Sequence, residues 1–550
     1  MRKPIDPQWR LAGYTDDALQ RCRQLESEAL PHSTACLLDE ATRDAPDRLA
    51  WHFIDSGETA TYAEVHASVA RLAAGLRRLG VTKHTRVAVM VPNVPQFPLT
   101  WLAIGRLGAV MVPVNVSYTP RELEYVLVDS QCTYLVIDEA FLPVLDGISR
   151  QETSLGEGRV IVVGRPRSGE CDWQALIAPP EQALDFADDV VLDDLLNIQY
   201  TSGTTGFPKG VLQTHRYWIT QSKINAFRDG LRFERILIST PFYYMDPQWL
   251  LLMTFHQRAT AFIAARQSTS RYTQWLREWR IQFALMPAEI LFKNAPHPED
   301  AINETRRVNV YGLRKEIHAA VEERFNVNAR EAFGMTELGS ATFMPLEADD
   351  MIGSGSCGIS GPFRECKVVD TEGRELPRGQ IGELVVRGSG ILRGYHGKPD
   401  ATRDAFHGEW FRTGDLFRQD EDGYFYIVGR IKEMIRRSSE NIPAREVEAV
   451  LKNMPQVQEA AVIGVPDELR KEEVKAYVIL QPGLTRSDVP PEAIVAHARQ
   501  YLAPFKVPRY IEYRTDFPRT PSNKVRKPVL AGEKADLRQD SWDRVDCVWR

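Results

Sequence analysis

The chain has 550 residues, more than one ordinary domain holds, and a prior of roughly 100 to 200 residues per domain predicts about three or four compact units. With 43% hydrophobic residues, 26% charged residues and a net charge of -6, the composition excludes the disordered and fibrous classes and gives no indication of nucleic-acid binding. The seven cysteines are scattered and never spaced as CxxC. We therefore expect neither a disulfide framework nor a zinc site, and a location in the reducing cytoplasm.

The sequence gives no sign of a membrane anchor. The segment MRKPIDPQWR lacks the apolar core of a secretory signal, and the longest apolar stretches, near 108–116 and from 249, are shorter than the roughly 18 residues that span a bilayer. The final residues CVWR match neither a peroxisomal nor a prenylation signal. We expect a protein that is neither secreted nor integral to a membrane.

Residues 35–200 alternate helix-like stretches with short apolar strands. An amphipathic stretch at 63–80 precedes an apolar strand at 86–93, and similar pairs follow along the chain. This rhythm predicts βαβ units around a covered, largely parallel sheet. Between 230 and 345 strand-like and helix-like stretches alternate again with different spacing, which predicts a second α/β layer.

The pattern changes after residue 352. Short strands separated by glycine turns at about 352–428 predict a small antiparallel β-barrel-like subdomain. The last stretch, from about 434, reads as helix, two strands, helix and strand, which predicts a separate small α+β domain. The predicted fold class is therefore α/β, with two α/β subdomains up to about 350, the β subdomain and the small terminal domain.

The segment LNIQYTSGTTGFPKGVLQTH at 196–215 combines an apolar strand with a polar, glycine-rich loop. Glycines let backbone N–H groups wrap an anion, hydroxyls donate further hydrogen bonds and the lysine adds a positive charge, so the loop is predicted to bind phosphate. It is not a Walker loop, because GxxxxGK[ST] is absent. The candidate phosphate-binding residues are Thr201, Ser202, Gly203, Thr204, Thr205, Gly206 and Lys209.

This loop resembles the signature loop of the adenylate-forming (AMP-binding) superfamily, which includes acyl-CoA synthetases, luciferases and peptide-synthetase adenylation domains. Further motifs of that superfamily follow in its usual order across nearly the whole chain. They are AIGRLGAVMVPVN, EAFGMTELG, GELVVRGSGILRGYHGKPDAT, FRTGDL, GRIKEMIRRSSENIPAREVE and PRTPSNKVRK. The resemblance implies an amino-terminal AMP-binding domain at 1–430, a hinge at 431–433 and a mobile carboxyl-terminal domain at 434–550.

The motif EAFGMTE carries part of the implied nucleotide site. The resemblance implies that Phe333 stacks on adenine beside Gly334, that Thr336 contacts the α-phosphate and that Glu337 holds Mg2+. This agrees with the preference of Mg2+ for carboxylate and phosphate oxygens. Taken without the resemblance, Phe333 and Met335 can also be read as core residues, which is the less favoured reading.

The resemblance places the remaining nucleotide and catalytic residues towards the carboxyl terminus. Asp415 is expected to accept both ribose hydroxyls, Arg430 to lie over the ribose and phosphates, and Lys432 to act as the hinge. Lys524 matches the catalytic lysine of the superfamily. Its implied role is electrostatic, because a substrate carboxylate with a pKa of about 4 is already ionised and the obstacle is repulsion between anions.

Two positions depart from the superfamily pattern. Asn523 replaces a usual glycine, and asparagine is the residue that best tolerates the left-handed backbone conformation there. Ser439 replaces a glycine near the expected path of the pantetheine arm, which bears on the second half-reaction. The expected CoA-binding residues are Arg437, Ser439, Glu440 and Asn441.

The acid-binding region departs further. Tyr244 stands where many relatives have histidine, and NVYGLRKE replaces a GGAPL-like segment, which resembles the crotonobetaine/carnitine-CoA ligase branch more than the long-chain fatty acid branch. Phe242, Tyr243, Tyr244 and Trp249 can form either a cation-π box for a quaternary ammonium acid or an apolar wall for a bulky or chain-like acid. The candidate acyl-pocket residues are Tyr243, Tyr244, Met245, Trp249, Met335 and Leu338.

The function implied by the resemblance is an ATP-dependent acid–CoA ligase. The expected substrates and cofactors are a carboxylic acid, ATP, Mg2+ and CoA, with the acid activated as acyl-AMP and then transferred to the thiol. Two main alternatives stay open: an enzyme that loads a carrier protein, and an inactive nucleotide-binding homologue; a luciferase-like oxygenase shares the fold but no feature of the sequence supports it. Retention of Thr336, Glu337, Asp415 and Lys524 argues against the second. A homodimer is also left open.

Overall fold

The computed structural model describes residues 18–178, 189–201, 208–287, 290, 294–437, 440–520 and 523–550, apart from the side chains of residues 432, 440 and 441. The chain divides into two compact units. The first comprises Met1–Thr201, Lys209–Cys366 and Val386–Trp410, and the second comprises Ser202–Pro208, Lys367–Val385 and Phe411–Arg550. The predicted domain limits at 430 and 434 stay a prediction.

The first unit contains two mixed but largely parallel sheets. One sheet has the strand order Gly394–Tyr395, Gly210–Thr214, Leu195–Tyr200, Val110–Pro113, Arg86–Met90, Tyr134–Asp138, Val160–Val163 and Cys171–Asp172. The other has the order Ile359–Ser360, Gly339–Phe343, Ala329–Met335, Arg307–Val310, Phe283–Leu285, Arg235–Ile238, Thr260–Ile263, Leu49–Phe53 and Thr59–Thr61. In both sheets the central strands are parallel and antiparallel pairs lie at the edges.

Helices accompany these sheets in the first unit. Two of them begin with a complete capping box that is visible in the sequence: Thr61 with Glu64, and Thr119 with Glu122. The helices are Ala18–Ser27, Thr34–Asp44, Tyr62–Arg78, Gln96–Arg106, Pro120–Ser130, Leu142–Asp146, Trp173–Leu176, His215–Phe227, Met245–Gln257, Thr269–Glu278, His318–Phe325 and Pro399–Asp404, with short 3-10 turns at Glu139–Phe141, Arg150–Glu152 and Asp349–Met351, and a short strand at Phe406–His407.

The second unit contains two further sheets. One is formed by strands that lie almost wholly in this unit, Glu365–Val369, Ile381–Arg387, Trp410–Gln419 and Phe425–Arg430. The other has the order Glu440–Pro443, Met434–Arg437, Lys471–Leu480, Tyr510–Tyr513, Trp542–Asp543 and Val548–Trp549, with Val457–Asp467 paired to Lys471–Leu480. Its helices are Ala444–Lys452, Pro491–Tyr501 and Lys527–Gly532, and a 3-10 turn spans Ile431–Glu433.

The observed architecture confirms the predicted α/β class with a further small α+β part. Two buried helices of the first unit were not predicted, His215–Phe227 and Met245–Gln257. Nearly all of their residues are buried, so neither has the alternation of polar and apolar faces by which a surface helix is recognised.

Candidate functional site

The predicted phosphate loop connects the antiparallel strands Leu195–Tyr200 and Gly210–Thr214. At its base the Thr201 N–H donates to the carbonyl oxygen of Lys209 over 3.1 Å. The exposed Lys209 ammonium lies 4.9 Å from the ring centroid of Tyr395, a cation-π distance. The predicted residues Ser202, Gly203, Thr204, Thr205 and Gly206 lie outside the described residues.

The predicted residues Phe333 to Leu338 lie at the turn between strands Ala329–Met335 and Gly339–Phe343. Phe333, Met335 and Thr336 are half-buried and Gly334 is exposed. Gly339 follows this turn with φ +68°, and a Cβ atom there would lie 2.4 Å from Oε1 of Gln221. The tight turn therefore depends on a glycine at this position.

Side chains from helix His215–Phe227 and its approach fix the backbone of this turn. The carbonyl oxygen of Thr336 accepts hydrogen bonds from Nε2 of Gln213 over 2.9 Å and from the hydroxyl of Tyr217 over 3.0 Å. Gln221 Nε2 donates to the Ser340 hydroxyl over 3.0 Å, and the Ser340 N–H donates to Gln221 Oε1 over 2.6 Å. Buried neighbours thereby hold the backbone of the turn at Thr336 and at Ser340.

Glu337 is held at both its backbone and its side chain. Its carbonyl oxygen accepts from the Leu392 N–H over 2.7 Å, and its carboxylate accepts from the Tyr395 hydroxyl over 3.0 Å. Burial, with the adjacent Glu337 charge, raises the pKa of Tyr395 above its ordinary value, so the phenol keeps the proton that it donates. Tyr395 thus contacts both the predicted metal ligand and Lys209.

Sequence reasoning missed Gln213, Tyr217 and Tyr395 as site residues. Tyr395 lies within GELVVRGSGILRGYHGKPDAT, so the motif was noticed while this contact was not. No local sequence pattern marks Gln213 and Tyr217 as site residues. Their role comes from hydrogen bonds to the Thr336 carbonyl, which is more than a hundred residues away in the chain.

In the second unit, Asp415 and Arg430 lie on paired antiparallel strands and form an ion pair, with Arg430 Nε 3.0 Å from Asp415 Oδ1. Asp415 is buried, and within the described residues its other oxygen, Oδ2, has no hydrogen-bond partner. Burial raises the pKa of this carboxyl, and the Arg430 charge opposes that effect only in part. A buried acceptor without a donor is the arrangement expected where ligand hydroxyls bind.

Lys524 lies in a tight turn of the second unit. The Lys524 N–H donates to the Thr520 hydroxyl over 3.1 Å, and the Thr520 N–H donates to the Lys524 carbonyl over 2.8 Å. Asn523 has φ +63°, which confirms that asparagine replaces glycine in the left-handed region here. Three residues on, Lys527 Nζ contacts the carboxylates of Glu433, next to the predicted hinge Lys432, and of Glu448.

Two of the predicted CoA-binding residues, Arg437 and Glu440, pair at the ends of the antiparallel strands Met434–Arg437 and Glu440–Pro443. The guanidinium of Arg437 donates from Nε and Nη2 to the Glu473 carboxylate over 2.7 and 3.1 Å. Ser439 and the side chains of Glu440 and Asn441 lie outside the described residues.

The predicted acyl-pocket residues fall into two groups. Tyr243, Tyr244 and Met245 are half-buried, and the two tyrosine ring centroids are 4.7 Å apart. Trp249 and Leu338 have no exposed surface. Trp249 packs edge-on against Phe283 in the core, and Phe242 stacks on Phe97 there. Of the four aromatic side chains in the predicted box or wall, only Tyr243 and Tyr244 lie outside the fully buried core.

The residues present fit Mg2+ by the chemistry of their donors. The described residues contain no group of three or more histidine, cysteine, aspartate or glutamate side chains arranged for a metal ion. Mg2+ is commonly held by one or two carboxylates together with substrate phosphates, so the single oriented carboxylate of Glu337 is a sufficient protein donor when ATP supplies the rest.

Known proteins resemble this chain over most of its length. The model of the AMP-binding enzyme family matches residues 38–396, and that of the AMP-binding enzyme C-terminal domain matches residues 446–524. The crotonobetaine/carnitine–CoA ligase of Salmonella choleraesuis is 31% identical over 487 residues, covering 86% of this chain and 92% of that protein.

Solved structures give the same result. ATP-bound MatB from Rhodopseudomonas palustris matches with a TM-score of 0.82 and 26% identity, covering 92% of this chain and 99% of that one. A fatty acyl CoA synthetase of Mycobacterium tuberculosis matches with a TM-score of 0.70 and 26% identity, covering 92% and 98%.

The chain therefore belongs to the AMP-binding enzyme family. It is an acid–thiol ligase of the acyl-CoA synthetase class, which uses ATP and CoA and activates a carboxylic acid as its acyl-AMP. Among the helices that the structure describes, none combines the length and apolar character required to cross a bilayer.

Proposed function

We propose that the residues described above carry a two-step ligase reaction, with Thr336, Glu337, Asp415 and Lys524 as its central groups. The observation that supports this most is the turn at Thr336 and Glu337, where buried donors fix both backbone carbonyls and Tyr395 orients the carboxylate beside Lys209. Such fixed polar groups are the basis of electrostatic catalysis.

In the first step the ionised carboxylate of the acid attacks the α-phosphorus of ATP. A bond forms between the acid oxygen and phosphorus, the bond to the β-phosphate oxygen breaks, and pyrophosphate leaves with that electron pair. Lys524, Lys209 and the Thr336 hydroxyl reduce the repulsion between the anions, and Asp415 accepts from the ribose hydroxyls. No general base is needed, because the acid is already ionised at neutral pH.

Mg2+ is part of this proposal. When bound, it would neutralise charge on the phosphates as pyrophosphate leaves. Glu337 would hold it, with Tyr395 orienting the carboxylate by donating to it over 3.0 Å.

In the second step a thiol attacks the acyl carbon of the acyl-AMP. The carbon–sulfur bond of the thioester forms, the bond from the acyl carbon to the phosphate oxygen breaks, AMP leaves with that electron pair, and the thiol proton passes to solvent. We assign the hinge to Lys432, so that movement of the domain at 434–550 withdraws Lys524 and presents the segment 436–441 to the thiol. In this step the Arg437 guanidinium would act as a charge in a fixed position, because the Glu473 carboxylate holds it by two hydrogen bonds.

CoA is the proposed acceptor in preference to a carrier protein, because the relatives named above are CoA ligases and synthetases. A cytoplasmic location is supported by the cysteines, none of which is in a disulfide. A homodimer has no specific support.

The experiment that tests the function is a pyrophosphate-release assay with MgATP and CoA across carnitine and crotonobetaine, short to long fatty acids, aryl acids and polycyclic acids, with products identified by mass. An acyl-CoA from one acid class is the expected result. Pyrophosphate and acyl-AMP without acyl-CoA would transfer the assignment to a carrier-protein acceptor, and no pyrophosphate with any acid would contradict the proposed function.

A further inference from the structure

Asp246 introduces a negative charge into the region assigned to the acid. It is the second residue of helix Met245–Gln257 and is half-buried. Its neighbour Met245 has its sulfur 3.9 Å from the Tyr217 hydroxyl, which donates to the Thr336 carbonyl over 3.0 Å. Asp246 is therefore the neighbour of Met245, which contacts Tyr217, and Tyr217 in turn bonds the turn that carries Thr336.

The Asp246 carboxylate is oriented by its surroundings. Trp249 Nε1, one helical turn further on, donates to Oδ1 of Asp246 over 3.1 Å. A carboxylate in the first turn of a helix is also stabilised by the exposed backbone N–H groups and the helix dipole. Trp249 is fully buried and so does not line the acid-binding region itself. Its effect on that region is to orient the Asp246 carboxylate.

Other side chains near Asp246 show where its charge acts. Burial raises the pKa of Tyr217, and the nearby negative charges of Glu337 and Asp246 raise it further. Arg364 is the opposing charge near Tyr217. Its guanidinium is buried and donates to the backbone carbonyls of Leu338, Phe363, Ser389 and Gly390.

A carboxylate in this position disfavours a purely hydrocarbon acid, because apolar atoms packed against it would remove water from the charge without replacing its hydrogen bonds. A cationic group on the acid would offset that cost. The adjacent rings of Tyr243 and Tyr244, with centroids 4.7 Å apart, offer faces that attract cations. The carnitine named in the 31%-identical relative is an acid that carries a quaternary ammonium group.

We propose that this ligase selects a carboxylic acid bearing a quaternary ammonium group, and that Asp246 is the specificity-determining residue that recognises the positive charge, with Tyr243 and Tyr244 beside it. The inference rests on the proposed ligase function. Of the two alternatives for the aromatic residues, a cation-π box and an apolar wall, it favours the cation site. In that site the Asp246 carboxylate takes the role that the sequence suggested for Phe242 and Trp249, whose rings are buried in the core.

The test compares two acids of the same shape, γ-butyrobetaine and its all-carbon isostere, in which a tert-butyl group replaces the trimethylammonium group. Acyl-CoA formation is measured as kcat/KM for each acid with the unmodified enzyme, Asp246→Asn and the control Glu64→Gln. Asparagine can still accept from Trp249, so the substitution removes the charge and keeps that contact. Glu64 is an exposed first-turn carboxylate of a different helix, Tyr62–Arg78, and glutamine can keep its place in the capping box.

The expected result is a preference of the unmodified enzyme for the cationic acid that falls about 10- to 100-fold in Asp246→Asn and is unchanged in Glu64→Gln. Equal or better use of the isostere by the unmodified enzyme would overturn the inference and leave the ligase function intact. An equal loss for both acids in Asp246→Asn, or an undiminished preference, would overturn the role of Asp246. No pyrophosphate with either acid or with the wider panel would instead contradict the ligase function.

Discussion

Asp415, the proposed ribose-binding residue, illustrates how a buried carboxylate can work against the stability of the unliganded fold. Burial raises the pKa of its carboxyl, so the folded chain disfavours the ionised form. The stability associated with this group is fully present below the ordinary pKa of an unfolded aspartate and is lost as the pH rises through the higher pKa of the folded state. At neutral pH the ionised carboxylate therefore lowers the free energy of unfolding.

We expect Asp415→Asn to weaken ATP binding about 10- to 100-fold, because charge-assisted hydrogen bonds to the ribose are lost. The same change should raise the Tm of the nucleotide-free protein by about 1 to 3 °C at pH 7. Isothermal titration and thermal unfolding measure the two effects, with the exposed Asp422→Asn as the control. Unchanged ATP affinity would contradict the ribose assignment, and a lower Tm would contradict the unfavourable burial.

The raised pKa of Asp415 should also appear in the pH dependence of nucleotide binding. Since the ionised form of Asp415 is the one proposed to accept both ribose hydroxyls, ATP affinity should fall on acidification through a pKa above that of an ordinary aspartate. An ATP-binding profile that stays flat down to the ordinary aspartate range would contradict this expectation.

At the scale of elements, the turn between strands Ala329–Met335 and Gly339–Phe343 depends on helix His215–Phe227. Gln221 bonds both the backbone and the hydroxyl of Ser340 and leaves no space for a side chain on Gly339. The motif at this turn was recognisable in the sequence. The helix that fixes the turn was not, because a helix buried on all sides lacks an amphipathic period.

We expect Gly339→Ala to destabilise the protein by about 1 to 3 kcal/mol more than Gly57→Ala and to reduce adenylation strongly. Both glycines have positive φ values, +68° and +76°, so the backbone strain is matched. Only at Gly339 would the added Cβ meet another atom, Gln221 Oε1 at 2.4 Å, whereas nothing lies within 4 Å at Gly57. Denaturant unfolding and pyrophosphate release measure the difference, and equal effects of the two substitutions would contradict a packed turn.

For the whole molecule, ordered motifs were sufficient to predict the α/β class, the family and the acid–thiol ligase reaction. They could not predict the contacts of Gln213, Tyr217 and Tyr395, because these arise from packing between distant segments. The same limit explains why Trp249 and Phe242 were wrongly expected to line the acid-binding region. Their aromatic character suggested a ligand surface, but burial in the core depends on neighbours such as Phe283 and Phe97, which no local pattern reports.

The two-step account depends on Lys524 acting in the first step alone. The most direct measurement compares Lys524→Ala with the exposed neighbour Arg526→Ala in both half-reactions, acyl-AMP formation from acid and MgATP, and acyl-CoA formation from supplied acyl-AMP. We expect Lys524→Ala to lower the first rate by about 100- to 1,000-fold or more and to leave the second largely intact, with Arg526→Ala affecting neither. An equal loss of both half-reactions in Lys524→Ala would contradict the account.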